Sequence, residues 1–304
     1  MKPTLDRSLI GMEPLLEIVE TGFFTATLAD CIPLSILLIG PPGSGKSKAI
    51  LQYVSPNIHK TNDVTSAGLG ELMEDDKESK LRHIIIPDFN IVVSHKSSTA
   101  TFTVASLLTL MSEGILRIDD GRRKKEIIHS PVGILTAMTR EIYEEHAVKF
   151  RKLGISRRFI PVFFTYGIRT RELIQKSISS GKTTLQQLQE KKIFLPDQKR
   201  WPIKIEIPQS AGDRIERLSR EMAEHLSFHP HWEKSFDGGR GSNESWKIVP
   251  FRGATPIEFT PHMILRAMAQ AHALRAGRRV VKESDTDFLI QFINFCNYSN
   301  PVQL

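Results

Sequence analysis

The stretch Gly40-Pro41-Pro42-Gly43-Ser44-Gly45-Lys46-Ser47 carries the residue types that a bound phosphate needs, at the spacing G-x-x-x-x-G-K-[ST]. Successive backbone N–H groups in such a turn can converge on an anion. Gly43 and Gly45 let the backbone come close to the phosphates. Lys46 can reach the β- and γ-phosphates of a nucleoside triphosphate, and Ser47 can hold Mg²⁺. Lys48 follows directly and extends the run of candidate nucleotide contacts. A chance match in a surface turn is the competing reading, and the flanks oppose it. Ile36-Leu37-Leu38-Ile39 is an apolar run of buried-strand length. Lys48-Ala49-Ile50-Leu51-Gln52-Tyr53-Val54 predicts a helix, stopped by Pro56.

The second feature with chemical meaning is Ile84-Ile85-Ile86-Pro87-Asp88. An apolar run ending in aspartate is how a buried parallel strand delivers a carboxylate to the mouth of a sheet. There Asp88 could join Ser47 at the Mg²⁺ and its water shell. A plain strand-end turn aspartate is the alternative. Phe89 and Asn90 come next. Asn90 can orient a water by hydrogen bonding, yet it cannot take a proton as a carboxylate does. Glu113 is a more distant carboxylate. Val132-Gly133-Ile134-Leu135-Thr136-Ala137-Met138-Thr139 predicts another buried strand with a polar end.

Composition bounds the rest. A chain of 304 residues with 40% apolar content can bury a core of one large or two modest domains. The net charge of +7 permits a nucleic-acid or acidic partner without requiring one. Cys31 and Cys296 are far apart and form no metal-spaced pair, so a reducing cytoplasm is the default expectation. No apolar run approaches the roughly 20 residues that span a bilayer, so no membrane partner is expected. Phe102 to Glu113 predicts a helix with Gly114 as its cap. Ile115 to Ile128 predicts a hairpin whose turn gathers Arg122, Arg123, Lys124 and Lys125. These four form either a solvated basic turn or a contact for nucleic acid or an acidic partner. Residues 168–200 predict a helical linker broken near Gly181, and Trp201 to Pro208 predicts a short strand. Asp213 to Leu226, Thr260 to Gly277 and the run from Glu283 predict further helices.

In this order the phosphate loop, aspartate strand, helix, hairpin and strand ending at Thr139 resemble the AAA+ ATPases, most closely the MoxR and magnesium-chelatase group. Gly154-Ile155-Ser156-Arg157-Arg158-Phe159 is similar to that group's segment ending Arg-Phe. The resemblance implies a P-loop α/β core of parallel strands flanked by helices, with a small C-terminal α-helical lid. The corresponding division is 1–168 for the core, 169–208 for linker elements and 209–304 for the lid. It implies ATP and Mg²⁺ as ligands. Ile10 and Gly11, after Leu9, would close over the adenine. Thr139 would sense the γ-phosphate, and Arg158, with Arg157 as competitor, would reach a neighbour's site. Arg266 would be the lid arginine, since His262 stands where relatives often place it. Such proteins usually carry a glutamate after the strand aspartate, and this chain has Phe89.

The resemblance implies a homo-oligomer, a ring or open spiral of six subunits, that couples ATP hydrolysis to remodelling of a protein or protein–nucleic-acid client. A nucleotide-gated assembly module with little or no hydrolysis is a second expectation, motivated by Phe89. A DNA-associated loader or transposition-type ATPase is a third, motivated by the basic turn.

Overall fold

The run Ile36-Leu37-Leu38-Ile39 has no polar residue in its alternation, so both faces of its strand need apolar cover. The computed structural model provides it, and describes residues 9–29, 31–119, 124–180, 190–235, 245–252 and 259–304. Helix α1 (Glu13–Phe24) leads into strand β1 (Ser35–Gly40) and helix α2 (Lys46–Leu51). Strands β2 (Tyr53–Val54) and β3 (Ile58–Lys60), helix α3 (Ser66–Asp75), strand β4 (His83–Ile86) and helices α4 (Phe89–Ser94) and α5 (Ser97–Glu113) follow. Then come β5 (Ile115–Asp119), β6 (Lys124–Ile128), β7 (Gly133–Thr139), α6 (Arg140–Leu153), α7 (Ile155–Arg158) and β8 (Phe159–Thr165). The chain continues through α8 (Ile168–Ser179), β9 (Lys191–Lys192), α9 (Gln209–Ser227), β10 (Phe228–Ser235) and β11 (Ser245–Arg252). It closes with α10 (Phe259–Arg275), α11 (Glu283–Phe295) and β12 (Val302–Gln303).

Six strands form one sheet in the order β12–β8–β1–β7–β4–β3. Every neighbouring pair in it is parallel. Ile36 and Leu38 on β1 join the apolar layer shared with α1, α9, α10 and α11. Leu37 and Ile39 join the opposite layer, built with α3, α4, α5 and α6. The result is an α/β sandwich compatible with a P-loop nucleotide-binding core. Burial of both sheet faces supplies the main folding drive, at about 25 cal/mol per Å² of apolar surface.

Several elements depart from expectation. Helix α2 ends at Leu51 because Tyr53 and Val54 leave it to pair with Lys191 and Lys192. Tyr53 is fully buried there, and its hydroxyl donates to Glu20 at 3.1 Å. After α1 the chain makes only a 3₁₀ turn over Thr25–Thr27. Trp201 to Pro208 makes isolated bridges, Leu28 with Ile203 and Glu206 with Val280, in place of a strand. Pro202 and Pro208 lack the N–H that a ladder needs.

Residues 209–304, expected as an α-helical lid, include the antiparallel hairpin β10–β11, and β12 joins the core sheet beside β8. Ion pairs tie α10 to its neighbours. Arg275 bonds Glu17 at 3.2 Å and Glu20 at 2.8 Å on α1. Asp285 on α11 is fully buried and accepts from Arg278 at 2.7 and 2.6 Å. His272 Nδ1 lies 2.6 Å from the same carboxylate. Burial alone would raise the Asp285 pKa, but Arg278, the Lys282 amide and His272 hold it below the usual carboxylate value. Removing one partner from such a buried group is far costlier than its net contribution suggests.

The hairpin β5–β6 forms as expected, with Asp119 opposite Lys124. Arg122 and Arg123 lie outside the described residues. Lys124 and Lys125 open β6. Among the described residues, no helix is long and apolar enough to cross a membrane.

Candidate nucleotide site

The loop begins where β1 ends. Gly43 and Gly45 have φ of +66° and +77°, the left-handed region that glycine occupies without strain. Nothing stands within 4 Å of where a Cβ would lie on Gly43, so the loop opens there towards solvent. The turn between Pro41 and Pro42 and the helix is closed by the Ser44 amide on the Pro41 carbonyl at 3.3 Å. Tyr166, just past β8, pins it from the side: its hydroxyl donates to the Ser44 carbonyl at 2.6 Å. Helix α2 is short, so the loop amides and Lys46 supply most of the positive field.

Lys46 is only 8% exposed. Its Nζ donates to the Gly40 carbonyl at 2.9 Å and the Pro41 carbonyl at 2.6 Å, and lies 3.4 Å from Ser44 Oγ. Burial lowers the pKa of this amine, while the charges of Glu141 and Asp88 act in the opposite sense. An ammonium held by carbonyls of its own loop can exchange them for phosphate oxygens, which are stronger, charged acceptors. Lys48 follows in α2 and is half-buried.

Strand β4 is separated from β1 by β7. Helix α2 closes that gap, because Ser47 Oγ donates to the Pro87 carbonyl at 3.0 Å. The Ser47 hydroxyl therefore stands beside Asp88. Asp88 Oδ1 accepts the Asn90 amide at 3.0 Å and caps α4. The turn role and the cation role are compatible, since a carboxylate has about four lone-pair sites. A hydroxyl and a carboxylate are the hard oxygen donors that Mg²⁺ takes from proteins, with waters and phosphates completing its shell. These residues fit that ion.

Thr139 pairs with Gly40 in register, at the same edge of the sheet. Its side chain caps α6 through the Ile142 amide at 3.4 Å. Leu9 is buried against the loop, its Cδ2 lying 3.7 Å from where a Gly45 Cβ would be. Gly11, with φ of +78°, abuts Thr170 of α8. Of the Leu9-Ile10-Gly11 segment, Leu9 therefore borders the loop, while Gly11 packs on α8. Arg266 is exposed on α10, whose buried side packs on α1, α9 and α11. Arg157 and Arg158 are exposed on α7 at the entry of β8. Phe159 is in register with Ser35, so both arginines stand at the end of the sheet opposite Gly40.

Phe89 is 1% exposed and packs on Phe159 and Phe150, with ring centroids 5.4 and 6.3 Å away. Capping by Asp88 starts α4 at once and turns the next side chain into the core. The Phe89 side chain therefore belongs to the core layer beneath α4. Phe89→Glu should accordingly lose roughly 3–5 kcal/mol of stability by burying an unpaired charge, and gain no hydrolysis. Denaturant melts would show this; a stable variant that hydrolyses faster than the parent would overturn the packing argument. Glu113 is also misplaced for the role. It precedes Gly114, whose Cβ would meet the His129 carbonyl at 2.1 Å, at the entry of β7.

Two residues of the site escaped the sequence reading. Tyr166 carries no motif, and only its hydrogen bond to Ser44 marks it. Tyr166→Phe should lower stability by about 0.5–1.5 kcal/mol, the worth of one hydrogen bond, and weaken nucleotide affinity by loosening the loop. Equal affinities by titration calorimetry would show that the pin is idle. Glu141, in the first turn of α6 two residues past Thr139, is the other.

No protein-family model matches the chain, and no curated protein matches it either.

Proposed function

We propose that the chain binds ATP with Mg²⁺ at the edge of the sheet where β1, β7 and β4 end, and hydrolyses it. The observation that carries this reading is the convergence of three sequence-distant segments: the glycine loop with its buried Lys46 and Ser47, the end of β4 at Asp88 beside the Ser47 hydroxyl, and Thr139 in register with Gly40. Ligands of open parallel sheets bind at the carboxyl ends of the strands. Ser47 and Asp88 would hold the ion, which neutralises charge on the phosphates. Lys46 would orient the β- and γ-phosphates, and Leu9-Ile10-Gly11 would wall the base. Titration calorimetry with Mg²⁺ and ATP tests this, and absence of binding would overturn it.

By resemblance to AAA+ proteins of the MoxR and magnesium-chelatase group, the proposal extends to a homo-oligomeric ring or spiral, by that likeness of six subunits, that remodels a protein or protein–nucleic-acid client in the cytoplasm. Helices α9–α11 take the place of the lid in this scheme. They share one apolar layer with α1, so lid motion must carry α1 along or shear its contact with α10. A second reading, a nucleotide-gated assembly module without turnover, draws on the burial of Phe89. Phosphate release measured on the parent protein separates the two.

A further inference from the structure

We infer that Glu141 is the carboxylate that takes the proton from the attacking water, an assignment that rests on the ATP-binding reading above. Its placement follows from register. Thr139 is the strand neighbour of Gly40, and the Gly40 carbonyl accepts the Lys46 ammonium at 2.9 Å. Thr139 then caps α6, which puts Glu141 in the first helical turn at the rim of the loop. The side chain is exposed to solvent there. Its charge acts on the Lys46 ammonium more strongly than that of Asp88 does.

Other carboxylates near that edge have other work. Asp88 caps α4 beside Ser47. Glu144 accepts from Arg140 and from Tyr298, each at 2.8 Å. Asp63 lies beyond the edge strand β3 and pairs with His95 at 3.1 Å. Position 89 faces the core, and Glu113 is at the far end of the sheet. A carboxylate at the mouth suits the chemistry: a water oxygen bonds to the γ-phosphorus, the bond from that phosphorus to the β,γ-bridging oxygen breaks, and ADP leaves. The water proton passes to Glu141 and is then released to phosphate or solvent. A base so placed is worth about 10²–10⁴ in rate.

The experiment compares the parent, Glu141→Gln, Glu141→Asp and the neighbouring control Glu145→Gln. A fluorescent ATP analogue reads affinity, and phosphate release reads turnover. Glu141→Gln should bind within about threefold of the parent and turn over at least ~10²-fold more slowly. Glu141→Asp should recover part of the rate, and Glu145→Gln should match the parent. A rate for Glu141→Gln equal to the parent's overturns the assignment. So does a parallel fall in affinity and rate, which would make Glu141 a binding residue. A parent that binds ATP yet never hydrolyses it also removes the assignment while leaving the binding site intact. A parent that binds no ATP removes the underlying reading instead.

Discussion

Lys46→Ala should fold normally and lose ATP affinity by about 30-fold or more, since truncating one member of a buried charged pair costs roughly 2–5 kcal/mol. The size of the effect follows from where the amine sits. It is buried at the root of the loop and holds the Gly40 and Pro41 carbonyls with short hydrogen bonds. Phosphate oxygens entering the loop would replace those carbonyls, and a methyl group offers them nothing. Stability should change little, because burying the ammonium already works against its charge. Its removal relieves that desolvation while leaving the two carbonyls at the loop without their donor. Lys46→Met keeps the apolar stem and serves as the second variant should the alanine open a void. Titration calorimetry gives the affinity and a thermal melt the stability. An unchanged affinity in both variants would sink the phosphate-loop assignment itself.

What could be read in advance was local. The loop announces itself because only glycine tolerates its left-handed turns, and because β1 brings an unbroken apolar run to it. Asp88 was readable as a strand-end carboxylate, and Gly114 as a helix stop, for similar reasons. What stayed hidden depends on distant partners. Nothing near Tyr53 says that Lys191 will draw it out of α2. Nothing near Val302 says that it will extend the sheet beside Phe164. Tyr166 gains its role from Ser44, over a hundred positions away. The placement of Glu141 depends on the register of β1 against β7, which apolar pattern alone leaves open. Phe89 is the instructive case. Its departure from the AAA+ pattern that the sequence resembles was visible, but its meaning was not. Only the packing on Phe150 and Phe159 shows that position 89 serves the core.

Arg158→Ala should retain ATP binding and lose turnover by about 10³-fold, the usual worth of a guanidinium that stabilises charge on the transferring phosphoryl group. Within one chain this arginine cannot do so. Phe159 is in register with Ser35, whereas the loop starts at Gly40. The intervening residues of β1 span roughly 16 Å at about 3.3 Å each, beyond the reach of a side chain. Arg158 and Arg157 are both exposed, and the Arg158 guanidinium lies back near Gly154. Any part they play in hydrolysis must therefore be played on the site of another copy. Specific activity should then rise with protein concentration, and Arg157→Ala should be milder than Arg158→Ala. Mixing the two inactive variants gives the sharper result. A Lys46→Ala subunit still presents Arg158, and an Arg158→Ala subunit still presents an intact loop, so the mixture should regain part of the activity that neither has alone. Concentration-independent turnover together with a fully active Arg158→Ala would show that each chain completes its own site. The arginines at the entry of β8 would then be solvated charges, for which surface position alone is sufficient cause.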